Sequence, residues 1–298
     1  MTDDARTRAA ERAVRRELVT AFPTFLAYCT RGHAALDTVS QRYHLPPHLL
    51  GLLSTGYLAR GQGVVTEPAL RDSLPYATRS RLGAEHWASL VDAGCARVNA
   101  DGWIVTNRGM AAVVELYREI RLEISRRAAS PALVTVLSEV FETIAHDVPA
   151  TSRGLAVRQL WSRAEAATTL DRLYRAIWEL WIYRDTCFRA AWEEEGYTGP
   201  LIDVLSQAWE GATVIEDLVR LLAAKQTHET VLDNVRQLSE RGELLLDGDQ
   251  VWIADGARRR RDAIEDRTDA VYFKRWPIGE RLDHVKVDFT ALMSELAP

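Results

Sequence analysis

Residues 90–109, LVDAGCARVNADGWIVTNRG, decide how this sequence is read. An apolar helix tail ends at Gly94, in the place where a glycine commonly closes a helix. Two short β-prone runs follow, Ala96-Arg97-Val98 and Trp103-Ile104-Val105-Thr106, around Asn99-Ala100-Asp101-Gly102, and an Asp-Gly between such runs signals a hairpin. An amphipathic helix continues from about Gly109 to Arg127. Upstream, Thr66 can cap a short helix with Pro68 in its first turn, and residues 78–93 read as the next helix. Helix, helix, glycine, hairpin, helix is the order of a winged helix-turn-helix. Residues 238–256, LSERGELLLDGDQVWIADG, repeat it: Gly94 falls on Gly242, Trp103 on Trp252 and Gly109 on Gly256, at offsets of 148, 149 and 147 residues. The repeat reads as an internal duplication. Chance recurrence of a common helix–glycine–hairpin string is the alternative.

Between the copies lie residues 170–192, LDRLYRAIWELWIYRDTCFRAAW. At 100° per residue Leu170, Leu173, Ile177, Leu180, Trp181, Phe188 and Trp192 share one broad face. Arg184 falls inside that face and Asp185 at its edge, and a charge in an apolar setting must be paired or serve a ligand. Two readings stay open. Arg184 forms a structural ion pair or snorkels to water, or it anchors an apolar effector pocket lined by Trp178, Trp181 and Trp192 with Asp185 beside it.

The remaining segments read as helices. Residues 6–30 form one that Pro23 kinks or splits, and residues 33–44 and 47–59 form two more on either side of Pro46-Pro47. A helix that begins near Ala156 runs, with a bend before Leu170, into the connector. In the second half, Thr213 to Glu216 has a capping-box pattern and Thr227 is an N-cap for the helix over 230–241. Helices over 257–273 and 279–296 end the chain. The predicted fold class is mainly α: tandem winged helix-turn-helix units with small β-hairpin wings, joined by a long central helix. The expected divisions are 1–130, 131–195 and 196–298.

Composition excludes several classes. The 298 residues are 47% hydrophobic and 27% charged with net charge −5, an ordinary globular balance with no global attraction to a polyanion. Cys29, Cys95 and Cys187 are odd in number and widely spaced, against a disulfide framework or zinc site. His44 and His48 are four apart, but Pro46-Pro47 breaks the helical register a metal pair needs. No phosphate-cradling loop and no nucleophile elbow appears. The sequence therefore predicts no catalytic residues, no cofactor and no metal. Its apolar runs are too short or too interrupted to span a bilayer, and its first residues lack a signal-peptide core, so a cytoplasmic location is expected.

The C-terminal half resembles a known family. LYRAIWELWIYRDTCFRAAWEEEGYTGPLIDVL at 173–205, the glycine-plus-wing string, and IEDRTDAVYFKRWP at 264–277 resemble a helix-turn-helix family common in actinobacteria and their relatives. That family pairs a helical N-terminal region with a winged helix akin to the multiple-antibiotic-resistance (MarR) regulators, and the likeness covers residues 160–296. The family's helix follows its Arg with Gly-Asp and then a His, where this chain has Asp185, Thr186, Cys187 and Phe188. The resemblance implies a fold and a regulatory context.

A winged helix reads DNA with its second helix in the major groove while the wing touches phosphates. In the first unit this points to Arg79, Arg81, His86 and Ser89 on the outer face of the candidate helix, and to Arg108 after the wing. In the second unit Glu229, Asp233 and the Asp247-Gly248-Asp249 tip would repel phosphate, so that unit is expected to pack against protein. Residues 258–261, four consecutive arginines, spread around a helix and read as solvated or paired with Asp262, Glu265 and Asp266. The expectation is a MarR-like, double-stranded-DNA-binding regulator, homodimeric through its terminal helices and responsive to a small apolar effector. The alternatives are a non-enzymatic ligand- or protein-binding module with degenerate winged helices and, third, a DNA-processing enzyme of the tandem winged-helix kind.

Overall fold

Proline and glycine set the punctuation of the chain, and the observed elements follow it. The computed structural model describes residues 3–30, 34–59, 63–77, 83–162, 168–276 and 279–298. The protein is mainly helical, 75% helix, with two small antiparallel sheets. Pro23 splits the first helical stretch into Asp3–Thr20 and Phe22–Cys29, since the ring is tolerated only in a helix's first turn. The Pro46-Pro47 pair separates Ala34–Tyr43 from Pro47–Ala59. Thr66 and Thr227 cap as expected, accepting from the amides of Ala69 at 3.3 Å and Thr230 at 3.2 Å. The connector appears as two helices, Ser152–Ser162 and Thr169–Glu194.

The residues group into two compact units. One, whose described elements are all helices, comprises Met1–Ser54, Asn107–Asp185 and Tyr272–Pro298; the other, carrying both hairpins, comprises Thr55–Thr106 and Thr186–Val271. The helical unit is centred on an aromatic cluster. Phe22 meets Phe141 at 5.5 Å and Phe289 at 6.0 Å between ring centroids, with Trp276 stacked on Phe22 at 6.4 Å. Edge-to-face contacts of this kind add to the area the rings bury.

In the hairpin unit the same local geometry occurs twice. Strand β1 (Ala96–Asn99) pairs with β2 (Gly102–Val105), and β3 (Leu244–Asp247) pairs with β4 (Gln250–Ile253). Every cross-strand pair of the second hairpin lies 148 residues beyond one of the first, from Ala96↔Val105 and Leu244↔Ile253 inwards. Gly94 and Gly242 both end their helices at φ +68°, and the helices after the hairpins begin at Asn107 and Asp255. This register corrects the sequence pairing of Trp103 with Trp252: Trp103 corresponds to Val251, and Gly109 to Ala257. In a pleated strand a shift of one residue turns the side chain to the other face, so Trp103 stacks on the buried Trp87 at 5.0 Å while Trp252 faces solvent.

A third strand fragment completes each sheet, Val65 bridging to Trp103 and Val214 to Gln250. The second bridge overrides the expected capping box at Thr213. The Thr213 carbonyl accepts from the Val251 amide at 2.8 Å and the Ile215 amide donates to Asp249 at 3.0 Å, so the chain is extended there. The Ile215–Leu222 helix starts later, from Val214, with no side-chain cap. Two sheet hydrogen bonds outweigh one capping contact.

Gly199 opens the Gly199–Glu210 helix, and a Cβ built on it would lie 1.8 Å from the Pro75 carbonyl oxygen. Backbone cannot yield there as a flexible side chain would. Gly51 is the contrast, a helical glycine whose added Cβ would meet nothing within 4 Å. We predict that Gly199→Ala destabilises the protein by on the order of 2–3 kcal/mol, whereas Gly51→Ala stabilises it by up to about 1 kcal/mol. Urea unfolding of both variants checks this, and equal effects would contradict the close packing of Pro75 on Gly199.

Candidate nucleic-acid interface

The hairpin unit presents two similar surfaces, each made from a short helix, a longer one and a hairpin. In the first, the Ala84–Asp92 helix is oriented by Trp87 and Leu90, both fully buried. That leaves Glu85 and Ser89 exposed and His86 half-buried. The Ser89 hydroxyl donates to the Glu85 carbonyl at 3.1 Å, an internal helix contact. Arg79 and Arg81 lie outside the described residues. Arg108 belongs to the helical unit, where it donates to the Tyr43 carbonyl at 3.1 Å with its guanidinium 5.7 Å over the Tyr43 ring. Of the five residues singled out for DNA, only His86 and Ser89 are therefore described together on one surface.

The hairpin register adds a residue the sequence pattern passed over. Arg97 on β1 is exposed and paired across the strands with Ile104. It stands on the outer face of the hairpin, opposite the side on which Trp103 meets Trp87. The signal was present in the alternation of Ala96, Arg97 and Val98, but its face could not be assigned before the register was known.

The second surface, like the first with its exposed Glu85, Asp92 and Asp101, carries carboxylates. The His228–Glu240 helix buries Val231, Val235 and Leu238 and exposes Glu229, Asp233 and Glu240. Its Arg236 is held by Asp233 at 3.0 Å. Asp247 and Asp249 are exposed at the hairpin turn. The position equivalent to Arg97 is Leu245, paired with Trp252.

Of the arginines at 258–261, two are engaged within the protein. Arg261 is buried between the rings of Phe188 and Trp209, 4.7 Å from each, with Nε donating to Ser206 at 2.9 Å and an ion pair to Glu265 at 2.7 Å. Arg260 pairs with Glu243 at 3.1 Å, and Glu243 also accepts from the Tyr197 hydroxyl at 3.1 Å. Burial, and then the Glu243 charge, push the Tyr197 hydroxyl above its ordinary pKa.

The residues expected to hold an effector are divided. Trp178, Trp181, Arg184 and Asp185 belong to the helical unit and Trp192 to the hairpin unit. Trp178 is packed in an aromatic cluster, stacked on Tyr117 at 5.9 Å and edge-on to Trp161 at 5.5 Å. Trp192 is buried, its ring 6.4 Å from that of Tyr76. Arg184 and Asp185 are half-exposed, and Trp181 likewise. The deeply buried charges of this helix are instead Asp171 and Glu179. Asp171 accepts from Arg121 Nε at 2.8 Å, from Trp161 Nε1 at 2.6 Å and, through its own amide, is capped by Thr168. Both its oxygens are used, so it serves as a structural tie. Among the described residues no group of three or more His, Cys, Asp or Glu side chains could hold a metal ion, and no helix is long and apolar enough to cross a membrane.

Comparison with protein-family models, with curated proteins and with solved structures finds no match to this chain.

Glu179 offers a titration test of the helical unit. Burial pushes its carboxyl above the ordinary carboxylate range, opposed by Arg158 at 2.5 Å and by Arg175. A carboxyl whose folded pKa is raised holds its proton more tightly in the native state. Its stabilising contribution is thus complete below the unfolded value, about 4.3, and is lost as pH rises through the folded value. We predict that the stability of the wild type relative to Glu179→Gln is greatest in acid and shrinks as pH rises through the folded pKa. Urea unfolding at a series of pH values measures it; a difference that grows with pH would contradict the burial assigned to Glu179.

Proposed function

We propose that this chain is a winged-helix, MarR-like transcriptional regulator whose first hairpin-bearing surface contacts double-stranded DNA, while the second is turned to protein. The order helix, strand fragment, helix, helix, hairpin, present at both Val65–Trp103 and Val214–Gln250 bridges, supports the winged-helix reading. The resemblance of residues 160–296 to the actinobacterial helix-turn-helix family supports the regulatory one. The two surfaces are best read as copies of one ancestral unit that now differ at Arg97 and Leu245.

The observation that carries the assignment is the exchange at one cross-strand position. Arg97 occupies it in the first hairpin and Leu245 in the second. A wing cation adds phosphate affinity and releases counterions; an apolar wing beside carboxylates does neither. With net charge −5, any affinity for DNA must come from such a local feature rather than from the whole surface. In this reading Trp178 and its aromatic neighbours are core.

Fluorescence anisotropy with a labelled random duplex of about 20 base pairs, at roughly 50 mM salt, tests the proposal. Wild type is expected to bind, Arg97→Glu to bind about tenfold more weakly, and the slope of log K against log salt to fall by about 0.9 for each phosphate that the variant no longer neutralises. A second variant combining Arg79→Ala and Arg81→Ala is expected to weaken binding further. Absence of binding at low salt, or undiminished binding by Arg97→Glu, would overturn the reading.

A further inference from the structure

The second hairpin has a feature that a solvated wing does not need. Leu245 is 55% exposed and its cross-strand partner Trp252 44%, so two large apolar side chains stand together on the outer face. Leu246, on the opposite face, is 41% exposed. The equivalent pair in the first hairpin is Arg97 and Ile104, so the apolar pair is particular to this hairpin and not a requirement of its shape.

The same strand has an open edge. Strand β4 is paired with β3 on one side and, through Val214, with the chain before the Ile215–Leu222 helix on the other. Among the described residues no strand pairs with the far side of β3. Gly248 at φ +56° supplies the first central residue of a two-residue turn, which makes Asp247↔Gln250 and Leu245↔Trp252 the mutually hydrogen-bonded pairs. Alternation along the ladder then directs the Leu246 amide and carbonyl outwards, toward the open edge. Such an edge is a template for an added strand unless something blunts it.

Charge selects the occupant. Asp247 and Asp249 flank the strip at the turn and Asp255 follows β4, all three exposed. The exposed Arg258 and Arg259 lie further along the next helix, beyond the hairpin. Carboxylates at the rim repel nucleic acid and anionic lipid and attract Lys and Arg.

We propose that the outer edge of β3, with Leu245, Leu246 and Trp252, is a docking strip for an extended segment of a partner protein carrying apolar residues at alternate positions and Lys or Arg at the end that reaches the turn. The segment adds as a strand along β3. Its backbone pairs with Leu246, its apolar side chains on the outer face lie against Leu245 beside Trp252, and its cations at the end nearest the turn meet Asp247 and Asp249. Main-chain hydrogen bonds supply affinity without sequence selection; the apolar pair and the carboxylates supply the selection. The strip does not depend on DNA binding by the first hairpin.

A peptide of about seven residues to match a short strand, with valine and threonine alternating and a pair of lysines at one end, is the probe. Titrated into the 15N-labelled full chain, it is expected to move amide resonances concentrated over Leu244–Ile253. The same peptide with glutamates in place of its lysines is expected to move none. Combining Leu245→Thr with Trp252→Thr, both compatible with an exposed strand, should weaken lysine-peptide binding by about tenfold without altering the thermal midpoint. Combining Asp247→Lys with Asp249→Lys should reverse the preference between the two peptides. Equal shifts from both peptides, undiminished binding by the threonine variant, or no shifts at all would overturn the proposal. Sedimentation velocity covers the other occupant: a wild-type dimer that the threonine variant dissociates would assign the strip to a second copy of the chain and overturn it as well.

Discussion

The arrangement of the hairpin unit depends on one close approach, the Pro75 carbonyl against Gly199, where any side chain would stand 1.8 Å from the oxygen. Around it the two hairpin-bearing segments are joined by contacts of different kinds. Arg189 reaches the Asp72 carboxylate at 3.0 Å and the Asp72 carbonyl at 3.2 Å. Lys225 sits 5.1 Å over the Tyr76 ring while paired with Asp203 at 3.0 Å. Gln226 donates to the Pro200 carbonyl at 3.0 Å and accepts from Asn234 at 2.9 Å, so the turn before the His228–Glu240 helix is tied to the same helix start. Glycine at 199 makes the approach possible; the polar contacts at its rim give it direction.

The buried charges of Asp171 and Arg261 are matched rather than left for a ligand. Asp171 is satisfied by Arg121 and the Trp161 indole, and Arg261 lies between two aromatic rings with a hydroxyl and a carboxylate at its nitrogens. Removing one partner from such a site leaves the other uncompensated in a poorly solvated setting, which is why these groups behave as structural ties. Burial acts on neutral groups too. It pushes the Cys29 thiol up to about 12 and raises the Tyr117 hydroxyl, and neither then ionises at neutral pH. Arg97 on the first hairpin, and Leu245 with Trp252 on the second, instead face outwards.

Much of the architecture was legible in the residues themselves. Pro23, the Pro46-Pro47 pair, Thr66, Thr227, Gly94 and Gly242 act through their own backbone and capping chemistry, so each marked its boundary without reference to distant chain. The Asp-Gly hairpin signal and the spacing of Trp87 and Leu90, or Val231, Val235 and Leu238, placed the strands and the buried helix faces for the same reason. The site was less legible. The helical wheel put charge at Arg184, yet Asp171 and Glu179 are the buried charges, because the Thr169–Glu194 helix is covered on more than one side and a single apolar stripe does not describe it.

What the sequence determined alone was local: where helices stop, where a chain reverses, and which residues recur at a near-constant interval. Only the tertiary structure decided register and exposure. Trp103 and Trp252 look equivalent as letters, but hydrogen bonding across each hairpin sets Trp103 on the buried Trp87 and Trp252 into solvent. The Thr213 capping pattern gave way to a strand bridge for the same reason. A cap or a turn is an interaction among neighbours in sequence, whereas the face a strand residue shows depends on partners that only folding brings beside it.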